Sequence, residues 1–262
     1  MTEPVVQDLF DMTGQAVLIT GASGFLGSAL SRALAEAGAT VVVGSRDLYK
    51  AQQVAEALPG EGPHYGVELN QLDEESLDRG FEAAVKAAGK LDVLVNNGQQ
   101  GHAMDLTNVT GEAFSQDLRN ATGYFLLARK LRDHVVSRQA AGAIVMIGSM
   151  YGVVGSYPDA YAGVTVASPV QYHTLKGGII HMTRHLAVYW AKDNVRVNCL
   201  SPGPFPSPTV NQEMVARLKL KSPMARMGQP EELKGPLLLF VSRAGSYITG
   251  QNLLVDGGWT AW

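Results

Sequence analysis

Tyr172 and Lys176 stand four residues apart at the start of a stretch of helical composition, so a helix would carry both on one face, about one turn apart. A phenol titrates near pH 10, and bringing it close to neutrality takes roughly 4 kcal/mol, within reach of one partly buried ammonium beside it. Tyr172 would then exchange a proton with a substrate oxygen. On its own a Tyr-x-x-x-Lys pair is commonplace on solvated helix faces, so its meaning depends on what the chain places near it. A second chemical feature lies near the start, where residues 16–27 read AVLITGASGFLG: a buried strand, a turn at Gly21, then Gly24 and Gly27 opening a helix. Such a turn lets backbone N–H groups and a helix N-terminus face a pyrophosphate with no side chain in the way. A tight strand-to-helix turn without a ligand can carry the same glycines, but the position after the first strand of an α/β chain favours a dinucleotide.

Further residues fit that cofactor. Ser45 and Arg46 follow the second β-rich run, where dinucleotide folds place an acid on the ribose 2′-hydroxyl or an Arg on a 2′-phosphate; Asp47 falls late for the acid. A guanidinium there favours NADP(H), with NAD(H) the alternative, although an Arg in a loop is often merely solvated. Asn70, after the third run, could hydrogen-bond an adenine edge, and the Asn-rich residues 95–98 could support the cofactor through their backbone.

The elements that must position these groups alternate along the chain. Apolar, β-branched runs at residues 16–20, 40–43, 65–69, 91–95, 143–147, 196–200 and 252–255 read as strands, and residues 25–37, 47–58, 74–88, 111–138, 172–192 and 231–241 as helices. Strands without polar alternation imply helices on both faces of a parallel sheet. The expectation is an α/β fold: one Rossmann-type domain over residues 1–262, doubly wound around a seven-stranded parallel sheet. Hydrophobic residues make up 46% and charged residues 17% of the 262, ample for a buried core. A net charge of −3 with no basic run speaks against nucleic acid or an anionic membrane and for a small-molecule partner. The apolar runs at 41–43 and 237–241 fall far short of the ~20 residues of a membrane span. One cysteine, Cys199, and a start without a secretory pattern point to the cytoplasm; no metal site is expected.

From about Leu9 onward the chain resembles the short-chain dehydrogenase/reductase family. The family's NNAG strand end appears as Asn96-Asn97-Gly98-Gln99, its catalytic Asn matches Asn120 in RNATGYF, its Ser matches Ser149 in IVMIGSM, and its Tyr–Lys pair matches Tyr172 and Lys176. VRVNCLSPG, RMGQPEEL and YITGQNLLVDGG resemble later family segments. The resemblance implies an NAD(P)-dependent oxidoreductase moving a hydride between nicotinamide and a secondary alcohol or ketone carbon. Tyr172 would be general acid/base, Lys176 would tune it and hold the nicotinamide ribose, Ser149 would bind the reacting oxygen, and Asn120 would position a water in a proton relay. The implied cofactor set is Gly21, Ser23, Gly24, Phe25, Leu26, Gly27, Ser45, Arg46, Asn70, Gln71, Asn97, Gly98, Tyr172, Lys176, Pro202 and Gly203.

Three features depart from the family pattern. The glycines are spaced Gly-x-x-Gly-x-x-Gly, with Phe25 where shorter members carry glycine; a basic loop residue that often grips NADP is missing; and NNAG is altered at two places, with Gln99 replacing its last glycine. Ser149 and Tyr172 are also 23 positions apart, about ten more than is usual, and the added SYPDAYAGVTVASP must emerge at the carboxyl edge of the sheet beside the chemistry. With Tyr157, Asp159, Tyr161 and Ser168 in it, and Gln99, Gln100, His102 and His173 nearby, a hydroxyl-rich substrate such as a sugar acid or polyol is favoured; LFDMTGQ also resembles gluconate 5-dehydrogenase-like members. The rival is a 3-oxoacyl-[acyl-carrier-protein] reductase, whose carrier could dock on Arg129, Lys130, Arg132 and Arg138. A cofactor-binding scaffold without catalysis is the alternative from another class. The resemblance also implies a homodimer or homotetramer pairing the helices near 111–138 and 172–192, with Trp259, Ala261 and Trp262 either at a subunit contact or on the chain's own core.

Overall fold

The β-branched runs become seven strands, all parallel, in the computed structural model, which describes residues 3–261. They are β1 (Ala16–Thr20), β2 (Thr40–Ser45), β3 (Tyr65–Glu68), β4 (Val93–Asn96), β5 (Gly142–Ile147), β6 (Val195–Pro202) and β7 (Asn252–Val255), in the spatial order β3-β2-β1-β4-β5-β6-β7. The order reverses between β1 and β4, where a doubly wound sheet opens a crevice at its carboxyl edge. Every residue of β1 is buried: Ala16 and Leu18 face one apolar layer, Val17 and Ile19 the other.

Helices cover both faces. Between β1 and β2 lies α2 (Phe25–Glu36), preceded by the short α1 (Val6–Phe10); α3 (Leu48–Glu56), α4 (Glu74–Ala88) and α5 (Gly111–Ser137) follow. The chain continues through α6 (Pro158–Tyr161), α7 (Val170–Trp190), α8 (Gln212–Lys219) and α9 (Lys234–Val241). Leu77 and Phe81 of α4, Leu127 and Leu131 of α5, and Ile179 of α7 fill one layer; Leu34 of α2, Ala55 of α3 and Phe240 of α9 fill the other. Local chemistry sets the helix ends. Asp47 and Asp73 accept hydrogen bonds from Lys50 N and Ser76 N at 3.0 and 2.8 Å, capping α3 and α4, and Gly89 ends α4 at φ 77°.

The differences from expectation are small. β2 runs on to Ser45 and β6 to Pro202, β4 starts at Val93, and α7 starts two residues before Tyr172. The helical stretch from 231 splits into a tight turn over Pro230–Leu233 and α9. Among the described residues no helix is long and apolar enough to cross a membrane.

Candidate active site

The glycine turn is built for backbone approach. Gly21 has φ 66°, and a Cβ on it would lie 2.7 Å from Gly98 Cα; one on Gly27 would lie 2.1 Å from the Gly21 carbonyl oxygen. β1 and β4 are stitched together here: Thr20 Oγ1 accepts from Asn97 N and Gly98 N, and Asn97 Nδ2 donates to the carbonyls of Thr20 and Gly21. Gly24 opens α2 without any side-chain cap, so the first N–H groups of that helix keep their donors for an anion. The turn therefore fits the pyrophosphate of a dinucleotide.

From it a cavity of about 660 Å³ runs along the carboxyl edge of the sheet. All sixteen residues expected to hold the cofactor line it: Gly21, Ser23, Gly24, Phe25, Leu26, Gly27, Ser45, Arg46, Asn70, Gln71, Asn97, Gly98, Tyr172, Lys176, Pro202 and Gly203. Arg46 Nη1 donates to Gln100 Oε1 at 2.8 Å, which holds the guanidinium at the cavity edge. Asp47, spent on capping α3, offers no competing carboxylate at that end. Gln99, Gln100, Phe205 and Ser207 also line the cavity. Sequence reasoning had no cofactor role for them, because they lie in loops whose course only the fold sets.

At the far end, β5 delivers Ser149 and α7 delivers Tyr172 and Lys176. Ser149 Oγ accepts from Tyr151 N at 3.1 Å and faces the Tyr172 phenol, favouring its ionised form. Burial outweighs this and pushes the phenol above its ordinary range. Lys176 points past the ring, its Nζ 5.6 Å from the Tyr172 centroid, and donates to the Ile147 carbonyl at 2.7 Å. Lys176 is not among the groups that shift the phenol here; its ammonium gives one of its three N–H donors to β5, and its burial pushes it down to about 8.

That depression has a measurable consequence. An unfolded lysine near 10.5 binds its proton across a window in which the folded Lys176, at about 8, has lost it, so this group makes stability rise with pH through that window. Lys176→Met removes the rise. In urea titrations its stability relative to the parent should be highest below pH 8 and decline toward pH 10.5; a difference flat with pH would contradict the assignment.

Asn120 sits elsewhere. It is fully buried in α5 and does not line the cavity. Its Oδ1 accepts from Gln71 Nε2 and Gln100 N, and its Nδ2 donates to the carbonyls of Gln100 and Asp117. The side chain thus ties two cavity-lining residues to α5.

Residues 21–260 match the family described as "Enoyl-(Acyl carrier protein) reductase". A galactitol 2-dehydrogenase of Rhizobium johnstonii is 35% identical over 98% of this chain and 99% of its own. A D-arabinitol 2-dehydrogenase [ribulose-forming] of Candida albicans is 32% identical over 97% and 95%. The chain belongs to the short-chain dehydrogenase/reductase family. A 3-oxoacyl-[acyl-carrier-protein] reductase of Aquifex aeolicus is also similar, at 31% over 94% and 98%. Among solved structures, a short-chain type dehydrogenase/reductase from Mycobacterium marinum superposes with TM-score 0.88 at 30% identity, covering 99% of this chain and 100% of that one. A gluconate 5-dehydrogenase from Burkholderia cenocepacia, in complex with NADP and tartrate, gives 0.87 at 26%, covering 98% and 100%. The protein is accordingly an NAD(P)-dependent oxidoreductase of this family.

Within the family fold, the extra residues between Ser149 and Tyr172 do leave at the carboxyl edge, but they do not line the cavity. They fold onto α8. Ala160 of α6 is fully buried in a small apolar cluster with Met150, Val215, Leu218, Met227 and Trp259. Arg217 donates to the carbonyls of Asp159 and Ala162, and Lys221 pairs with the Asp159 carboxylate and lies over the Tyr157 ring. Trp259, 2% exposed and edge-on to Tyr157, closes this cluster, so it caps the chain's own core; Trp262 lies outside the described residues.

Most of the basic residues of α5, and Arg138 just beyond its end, are paired within the chain. Arg138 is bound to Asp92 and the Leu91 carbonyl at the amino edge of the sheet, opposite the cavity. Arg132 pairs with Asp193 and Asp133, Lys130 with Asp78, and Arg129 lies over Phe125.

Proposed function

We propose that this dehydrogenase interconverts a secondary hydroxyl and a ketone on a neutral polyol, using NADP(H). The observation that carries the substrate class is the charge of the cavity: among the described residues lining it the cations are Arg46 and Lys176, and both are assigned to the cofactor. A sugar acid would leave its carboxylate without a partner, at a cost of several kcal/mol in a desolvated site, whereas hydroxyls can pair with neutral donors and acceptors. The similarity to galactitol and D-arabinitol dehydrogenases agrees with this reading.

The bound nicotinamide supplies the hydride chemistry. The chain's own work is orientation and proton transfer. Ser149, fixed through the Tyr151 N–H, holds the reacting oxygen, and the Tyr172 hydroxyl exchanges its proton with that oxygen. Lys176 is held in place by the Ile147 carbonyl, and its remaining N–H donors would hold the ribose. Asn120 acts through others: it fixes Gln71 and Gln100, and with them the wall of the cavity. Arg46, at the other end, would grip the 2′-phosphate. Two or four copies pair through the exposed faces of α5 and α7, where Val136, Val188 and Tyr189 stand out to solvent, and the enzyme works in the cytoplasm.

Cofactor choice is tested by calorimetry. NADPH should bind more tightly than NADH, and Arg46→Asp should reverse the order by weakening NADPH about ten- to a hundredfold, the worth of one or two charge-assisted hydrogen bonds. Equal affinities in the parent would remove Arg46 from this role. Substrate class is tested by a panel of neutral polyols, sugar acids and 3-oxoacyl thioesters followed by nicotinamide absorbance. The second reading, a 3-oxoacyl thioester reductase, rests on the family description and the Aquifex relative; acyl thioesters outrunning every polyol in kcat/KM would establish it instead.

A further inference from the structure

Arg46 and Gln100 come from opposite sides of the glycine turn. Arg46 directly follows β2 and Gln100 lies beyond the end of β4, and in the sheet those two strands flank β1, which runs into the turn. The 2.8 Å bond from Arg46 Nη1 to Gln100 Oε1 therefore spans this end of the cavity, which both residues line. Gln100 is itself anchored. Its N–H donates to Asn120 Oδ1 at 3.0 Å and its carbonyl accepts from Asn120 Nδ2 at 2.7 Å, and Asn120 is fully buried in α5. An exposed arginine with a long side chain is thus tied, through one glutamine, to the interior of the protein. The other charged and polar groups nearby are differently engaged. Asp47 caps α3, and Lys176, the second cation of the cavity, is held at the far end by the Ile147 carbonyl. Ser45 Oγ accepts from Asp47 N at 3.3 Å and keeps its own hydrogen for a ligand oxygen.

We infer that Gln100 is a positioning residue for cofactor choice, presenting the Arg46 guanidinium to the 2′-phosphate of NADP(H). The inference rests on the proposed use of NADP(H) and names the residue that secures it. A guanidinium carries five N–H donors and Gln100 takes one, so a fork remains for two phosphate oxygens. A loose arginine surrenders its rotamer freedom when the ligand arrives, whereas one already fixed by Gln100 has lost it on folding. NADH has no phosphate at that position and gains nothing from the arrangement. The neutrality of the amide also matters. A carboxylate in its place would hold the arginine more strongly but would repel the phosphate, while the amide oxygen orients the guanidinium and leaves its full charge for the ligand.

The test is calorimetric titration of NADPH and NADH into the parent, Gln100→Met, Arg46→Met and the double variant, each checked for an unchanged melting temperature. Gln100→Met keeps the length of the side chain and loses the acceptor. It should weaken NADPH about fivefold, the worth of one pre-ordered side chain, and leave NADH as in the parent. In the Arg46→Met background the same change should leave NADPH unaffected, because no guanidinium remains to be placed. Gln100→Ala, smaller and equally unable to accept, should reproduce the result and takes the place of Gln100→Met if the thioether disturbs the fold. Equal losses for both cofactors, or the same loss in the Arg46→Met background, would mean that Gln100 only shapes the cavity wall. A gain in NADPH affinity would mean that it competes with the phosphate or bars the entrance, and no change that the bond does nothing. Each of these overturns the inference, while a parental preference for NADPH leaves the cofactor assignment standing. A parent that binds NADH as tightly as NADPH removes that assignment, and the inference with it.

Discussion

Tyr172→Phe is expected to lower turnover by about a thousandfold while leaving the fold and the affinity for NADPH in place, because it deletes only the hydroxyl that exchanges a proton with the substrate. The ring would keep its place in α7 beside Lys176 and its edge contact with His173, so the substitution removes an acid and little packing. The parent's phenol is held up by burial and opposed by Ser149, so in the parent the rate of alcohol oxidation should climb with pH as the phenolate becomes available. The residual rate of the variant should lack that climb. Steady-state kinetics across pH, together with a melting curve and an NADPH titration, measure all of these quantities. A variant with near-parental turnover would take Tyr172 out of the mechanism.

Gly27→Ala should be nearly as damaging, and for a different reason. Its new methyl group would lie 2.1 Å from the Gly21 carbonyl oxygen, an atom of the backbone that cannot swing aside as a flexible side chain could. The turn must open, which moves the start of α2 away from the cavity at a cost of about 3 kcal/mol in stability. NADPH affinity should fall by a hundredfold or more, in line with a loss of roughly 3 kcal/mol at the phosphate cradle. Gly24→Ala is the control for crowding, since its Cβ would meet only the Gly21 oxygen at 3.3 Å. It should melt close to the parent. If both variants melted and bound alike, the close approach at Gly27 would not be what shapes the turn.

These two sites were readable in the chain because local pattern and global fold agree there. The run AVLIT followed by three spaced glycines is a buried strand and a turn in any α/β setting, and Tyr172 and Lys176 share a face in any helix. The β-branched runs likewise located all seven strands to within about two residues at each end. What the sequence concealed depends on contacts between distant parts. α6 has four residues and α8 eight, too short to be stable without packing, and each is held by the other and by Trp259. Their cluster could not be seen before the insertion was placed over α8. Asp47 falls late for a ribose acid, and only the geometry of α3 shows what it does instead, which is to cap that helix.

The role carried over to Asn120 illustrates a second limit. Residue type and motif pointed at a water-positioning residue, and did not show that its side-chain amide makes four hydrogen bonds, to Gln71, Gln100 and Asp117. Hydrogen-bond saturation is a property of the surroundings and leaves no mark on the residue's own segment. The cations in and just after α5 carry the same lesson. Arg129, Lys130, Arg132 and Arg138 form a basic patch on paper, but Asp78, Asp92 and Asp193 come from elsewhere to engage three of them.

The central claim is that a hydride passes from a polyol carbon to NADP⁺ in the cavity beside Ser149 and Tyr172. Deuterium placed on the reacting carbon of the best polyol, followed by mass spectrometry of the recovered cofactor, tests it most directly. The expected result is NADPH carrying a single deuterium on its nicotinamide ring, with the ketose unlabelled at that carbon and the label retained when the reaction is run in ordinary water. Unlabelled NADPH, or deuterium released to the solvent, would contradict it.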